Sequence, residues 1–206
     1  MIEREEELRM KVSIIGDYGV GVSSLTQRYV DVDFYNHRHG ISPDFKSKHV
    51  SADDKKVLAI FFEGKFGHRF KKVLEVFFRR ADACALVFRL SSRDSFDYLK
   101  EMKKQIDDTL ANLSNDCPLV LIGSGSDQWE HRAVNRFEVE DWCKKEGFCG
   151  YFEASAETGE NVDEAFTELV RLGLSYHESK PVEADEVVAE EPSAKNEKTS
   201  FKCFLM

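Results

Sequence analysis

No stretch of the sequence approaches the roughly 18 consecutive apolar residues that a membrane-spanning helix needs, so the chain is not expected to cross a bilayer. Cationic side chains are outnumbered, 29 Lys and Arg against 38 Asp and Glu, for a net charge of −9. That balance argues against broad binding to nucleic acid, whose phosphates are held largely by Lys and Arg. Cysteine is sparse and unpatterned: the five residues, Cys84, Cys117, Cys143, Cys149 and Cys203, are odd in number and show no Cys-x-x-Cys spacing. A disulfide framework or a structural zinc site is therefore not expected. Cys84 and Cys117 stand in apolar, strand-like runs and read as small core residues. Proline is nearly missing, with four in the chain. The acidic start, Met1-Ile2-Glu3-Arg4-Glu5-Glu6-Glu7, lacks the basic-then-apolar order of a secretory signal, and the expectation is a protein made in and retained on the cytosolic side.

What is present is a globular composition, 42% hydrophobic, enough for one core in one domain of roughly 170 residues. Strand-length apolar runs alternate with helical spacing. Strands are predicted at 10–15, 45–51, 57–62, 84–90, 118–123 and 151–154, with 45–51 alternating like an edge strand; helices are predicted at 23–29, 95–113, 137–146 and 162–176. This order predicts a doubly wound α/β domain over residues 8–177, with ligands at the carboxyl ends of the strands. Beyond it, residues 178–206 lose apolar periodicity and read as a flexible acidic tail.

The first strand runs into Gly16-Asp17-Tyr18-Gly19-Val20-Gly21-Val22-Ser23-Ser24. A phosphate-binding loop has glycine, four residues, glycine, lysine and Ser/Thr. Its glycines let consecutive N–H groups face phosphate oxygens, the next helix adds its positive end, and the hydroxyl holds magnesium. Gly16, Gly19, Gly21 and Ser23 keep that geometry, and Val20 and Ser24 belong to the same candidate nucleotide-binding loop. Val22 stands where the lysine belongs, which removes the cation that meets the β- and γ-phosphates. The plain alternative is a structural strand-to-helix turn.

Taken with this loop, Ile41-Ser42-Pro43-Asp44-Phe45-Lys46, Arg69-Phe70, Phe77-Phe78-Arg79-Arg80-Ala81-Asp82 and Ser155-Ala156 form an ordered series. The series resembles that of Rab-type small GTPases of the Ras superfamily, over roughly residues 8–176. The resemblance implies the G domain of P-loop NTPases, with a six-stranded, mainly parallel sheet flanked by five helices. It also implies GTP or GDP as ligand. Asp127 would accept the guanine edge, and Ser155-Ala156 would bring a backbone N–H to the base. Ser124 and Gly125 stand where the family has asparagine and lysine, the residues that brace the loop and supply the stem that covers the base. Gly40 replaces the threonine of the first switch. In the second switch Glu63 is the nearby carboxylate for magnesium, together with Ser23, and no glutamine is present to orient water. An ordinary loop carboxylate is the competing reading of Glu63, and a solvated side chain that of His68.

Lys65, His68, Arg69, Lys71, Lys72, Arg79 and Arg80 make the second switch basic, either a solvated face or a surface that meets an acidic partner or a membrane. The last four residues, Cys203-Phe204-Leu205-Met206, fit prenylation at Cys203, terminal Met favouring farnesyl. One lipid anchors only marginally without a second signal. The resemblance therefore implies a monomer on the cytosolic face of intracellular membranes, with a cytosolic pool, that regulates vesicle transport through effector and regulator proteins. Nucleotide binding would be weakened and magnesium disfavoured, with no catalytic residue assigned. A working GTPase with unusual catalytic groups, and a P-loop enzyme for another nucleotide, stay open beside that reading.

Overall fold

A computed structural model describes residues 8–30, 45–66 and 74–180. β1 (Leu8–Asp17) is buried at every position from Val12 to Gly16, as a strand covered on both faces must be. It leads into α1 (Val22–Val30). β2 (Phe45–Ala52) and β3 (Lys55–Phe66) form an antiparallel hairpin closing Ala52 on Lys55. Its two turn residues, Asp53 and Asp54, have φ of 47° and 63°, the left-handed pair that a tight hairpin turn needs.

The remaining elements alternate: α2 (Leu74–Phe78), β4 (Ala83–Arg89), α3 (Arg93–Asn112), β5 (Leu119–Ser124), α4 (Arg136–Lys145), β6 (Gly150–Ala154) and α5 (Val162–Ser179). The sheet order is β2-β3-β1-β4-β5-β6, parallel except for the β2–β3 pair. The expected six-stranded, mainly parallel sheet with five helices is what the described residues show, and the alternating strand at 45–51 is indeed the edge.

Two cores sandwich the sheet. On one face Leu25, Tyr29, Phe61 and Phe166 pack with Val12, Ile14 and Leu169. The Tyr29 and Phe166 rings stack at 4.7 Å and Phe61 meets both edge-on. On the other face Phe88, Phe96, Ile106 and Val139 cover Ile15, Leu86 and Leu121. Each such buried aromatic or branched side chain contributes about 1.5–3 kcal/mol relative to exposure. Cys84 and Cys117 lie in this second core as expected. Burial pushes the Cys117 thiol up to about 12, so it sits there as an apolar group.

α2 is not placed by periodicity, because five residues make little more than one turn. Tertiary hydrogen bonds hold its last carbonyls: Lys11 Nζ donates to Val76 O and Arg79 O (2.7 and 2.8 Å), Ser13 Oγ to Phe77 O (2.7 Å) and Asn115 Nδ2 to Phe78 O (2.7 Å). These satisfy groups that every helix terminus leaves open. α3 begins two residues before the predicted start, where Ser92 caps it by accepting the Ser95 N–H at 3.2 Å.

Because the strands are parallel, their carboxyl ends share one rim. In register, Gly16 lies beside Val87, Arg89 beside Ser124 and Ser124 beside Ala154. Residues far apart in the chain thereby meet around the loop that follows β1.

Candidate functional site

The loop after β1 is built by close approach. A Cβ on Gly16 would stand 2.7 Å from both Val87 O and Val20 Cγ2, so no larger residue fits without moving β4. Gly19 and Gly21 adopt φ of 77° and 98°, which curls the chain into the first turn of α1. Ser24 is exposed and Ser23 half-buried at the helix start. Val22 is 3% exposed and belongs to the apolar core with Leu25 and Ile14, with Cγ2 only 3.0 Å from the Cβ position of Gly16. The residue in the lysine's place is therefore folded inward and gives the loop no charge. Val20 is equally buried, at 2%. Tyr18 stands out on the crest at 69% exposed, its N–H donating to Asp17 Oδ1 at 2.7 Å.

Ser23 and Glu63 do come together. The Ser23 hydroxyl donates to Glu63 Oε2 at 2.5 Å, and the Lys46 ammonium pairs with Glu63 Oε1. Glu63 lies within β3, and its side chain is 9% exposed, as is that of Lys46. The reading of Glu63 as an ordinary loop carboxylate is corrected: the strand continues to Phe66 and turns this side chain inward. Magnesium at a nucleotide site takes one or two protein oxygens and fills the rest of its shell with phosphate and water. Here the one hydroxyl is bonded to the one carboxylate, whose other oxygen is paired with an internal cation. As arranged, the pair presents no uncompensated charge to a divalent ion. Gly40 and His68 lie outside the described residues.

The base side keeps more of its bracing. Ser124, fully inside, donates its hydroxyl to Val20 O, so the strap between β5 and the loop is made although serine replaces asparagine. Gly125 N–H and Ser126 N–H donate to Ala154 O (2.8 and 3.3 Å). Asp127 Oδ1 accepts the hydroxyl of buried Ser155 at 2.5 Å, and Ser155 Oγ accepts the Thr158 N–H at 3.1 Å. An ionised carboxylate offers about four lone-pair sites, so this bond orients Asp127 without exhausting it. Ala156 follows, half-buried, in the same turn.

Gly125 brings no lysine stem, but a guanidinium from β4 reaches the same region. Arg89 donates from Nη1 to Gly19 O (3.3 Å), from Nε to Ser91 Oγ (3.1 Å) and from Nη2 to Gln128 Oε1 (2.9 Å). That Gln128 oxygen is the heavy atom nearest the Cβ position of Gly125, at 3.9 Å. Behind it, Arg132 forks onto Glu153, and the Tyr151 hydroxyl donates to the same carboxylate at 2.7 Å. Burial pushes the Glu153 carboxyl up, but these two donors outweigh it and hold it below its ordinary value. Burial and the Glu153 bond together raise the Tyr151 phenol.

A strand-to-helix glycine loop, an inward-braced aspartate on the β5 rim and the Ser155 turn thus meet on one edge of a doubly wound sheet. The model of the Ras family matches residues 11–174. The chain belongs to that family. Within the Ras superfamily it is a Rab-type small GTPase, and its relatives match it nearly end to end. The GTP-binding protein yptV5 of Volvox carteri is 32% identical over 197 residues, covering 94% of this chain and 96% of that one. The Ras-related protein Rab7 of Pisum sativum is 32% identical over 199 residues, with the same shares. The Ras-related protein Rab-32 of Sus scrofa is 32% identical over 207 residues, 98% of this chain and 91% of that one.

Among Rab-type features, the second-switch cations divide. Lys65, Arg79 and Arg80 are exposed, whereas Arg69, Lys71, Lys72 and Cys203 lie outside the described residues. No described helix is long and apolar enough to cross a membrane. Two side chains that the structure brings to the site were given no role in the sequence reading. Lys46 alternates in step with Val50 and Ala52 and so belongs on the inner face of β2, where a lysine needs a carboxylate. Arg89, a cation at the carboxyl end of an apolar strand, was the other available signal.

Proposed function

We propose that this Rab-type protein regulates vesicle-mediated and intracellular protein transport as a binding module, recruiting effector and regulator proteins through its switch surfaces. Its guanine-nucleotide affinity is weakened and its GTP hydrolysis impaired or absent. The loop Gly16–Ser24 would hold phosphate through backbone N–H groups, Asp127 the guanine edge and the Ala156 N–H the base carbonyl. The observation that carries this reading is Val22 packed into the core: the loop's own lysine is replaced by a group that cannot leave the interior. Loss of one charged partner of a buried phosphate costs about 2–5 kcal/mol, roughly 30- to several-thousand-fold in affinity. Prenylation at Cys203 tethers the module reversibly to cytosolic membrane faces, helped by a protein partner because one lipid chain is a marginal anchor.

A second reading, a working GTP switch, draws on Arg89. Its contact with Gly19 O sets a cation against the loop, and Asp127 with Ser155 retains an oriented base-side acceptor.

One native preparation tests both. Cell membranes and cytosol are separated, the protein is purified from each without added nucleotide, denatured, and any released nucleotide identified by chromatography. Far less than one GDP or GTP per chain is expected; stoichiometric release would replace the first reading with the second. The Cys203→Ser protein is expected in the cytosol, and its full retention on membranes would exclude the lipid as the tether.

A further inference from the structure

Three side chains converge where a nucleotide-linked metal would be sought, and their order differs from a metal site. Ser23 comes from the start of α1, Glu63 from β3 and Lys46 from the beginning of β2. One oxygen of the Glu63 carboxylate takes the Ser23 hydroxyl and the other takes the Lys46 ammonium. Both charged side chains are 9% exposed, so water does little to screen either, and each depends on the other.

The lysine is delivered by strand geometry. Lys46, Lys48, Val50 and Ala52 alternate onto the inner face of β2. Lys48 bends to the end of α1, where its ammonium donates to Tyr29 O and lies 3.9 Å from the Tyr29 ring centre. Lys46 is one repeat nearer the rim, and reaches the carboxylate.

We propose that Lys46 is a resident counter-cation, taking the charge-balancing place of a divalent metal, so that this protein holds its Ser23–Glu63 contact without magnesium. The proposal deepens the weakened-nucleotide reading and rests on the same loop. It adds that whatever the cradle binds, it binds without metal support. Glu63, which would otherwise require a metal or water, is locked to its own chain, and Ser23 Oγ is directed at Glu63.

The test is thermal unfolding and magnesium calorimetry on the full chain, in EDTA and in 5 mM magnesium. Wild type is expected to show no magnesium binding heat and the same Tm in both buffers, within about 1 °C. Lys46→Met leaves a buried carboxylate unpaired and is expected to lower Tm by about 5–15 °C. Magnesium should restore part of that loss, because Glu63 and Ser23 become available to an external cation. Lys46→Met combined with Glu63→Gln removes both charges; it should recover most of the Tm and ignore magnesium.

A wild-type Tm that rises in magnesium, or a Lys46→Met protein as stable as wild type in EDTA, would overturn the proposal. Should the single variant fail to fold, the double variant and the wild-type titration still decide it. Wild type that retains nucleotide yet ignores magnesium would refute weak nucleotide binding while leaving Lys46 in its assigned place, so the two readings fail separately.

Discussion

At the phosphate end of the crevice Val22 is packed into the core and Glu63 is closed by Lys46, whereas at the base end Ser124 still straps the loop and Arg89 extends into the region Gly125 left bare. Both ends have lost side chains that the family carries. The difference lies in what took their place. An apolar replacement finds its lowest free energy inside, so the contact that the lysine would make is gone. A smaller polar replacement, such as Ser124, still meets the buried carbonyl in front of it, because leaving that carbonyl unpaired is costly. The base end therefore keeps an organised set of donors and acceptors, and the phosphate end keeps a backbone shape whose charges are already balanced.

The strongest way to break this contrast is to return the cation. Val22→Lys is expected to raise affinity for GDP by about 30-fold or more, measured by fluorescence titration with a labelled nucleotide. It should lower the stability of the nucleotide-free protein by about 1–2 kcal/mol for the lost valine burial. No gain in affinity would move the deficit from Val22 to the Lys46–Glu63 pair.

A smaller effect sharpens the base end. Ser124→Ala leaves Val20 O without its buried donor and is expected to cost about 1–3 kcal/mol in chemical denaturation, while Ser24→Ala, on an exposed site in the same turn, changes stability by less than about 0.5 kcal/mol. Equal effects at the two positions would show that the strap contributes nothing.

The smallest expected effect is on acid stability. Glu153 has a depressed folded-state pKa, so its contribution is present above the unfolded carboxylate value and lost as pH falls through the lower folded value. As the pH falls below the ordinary carboxylate range the segment around Arg132 should therefore loosen, and Glu153→Gln should flatten that part of the stability–pH curve. An unchanged curve would show that the Arg132–Glu153 fork does not brace the base end.

Much of this was legible before any coordinates. The strand and helix alternation is local: apolar side chains repeat at the period of the element they build, and Gly16, Gly19 and Gly21 announce a tight turn because few other residues tolerate its close approaches and left-handed φ values. The ends of elements were less legible. β3 runs on to Phe66 because it has β1 to pair with through Asp17, a partner that a window of sequence does not contain. α2 was invisible since its terminal carbonyls are satisfied by Lys11, Ser13 and Asn115, none of them in the helix.

The fold class, the loop and the missing cation at Val22 were determined by residue order alone, since each rests on neighbours a few positions apart. Where Val22 went, and what became of Glu63 and of the place vacated at Gly125, was decided by the packed sheet. Ser23 meets Glu63 across 40 residues of chain, Lys46 meets it across 17, Arg89 reaches Gly19 across 70, and Ser124 reaches Val20 across 104. Contacts at such separations exist only once the sheet has formed, the parallel strands bringing their carboxyl ends to one rim and the antiparallel hairpin setting Lys46 against Glu63, and the register of the sheet selects which charges face each other there.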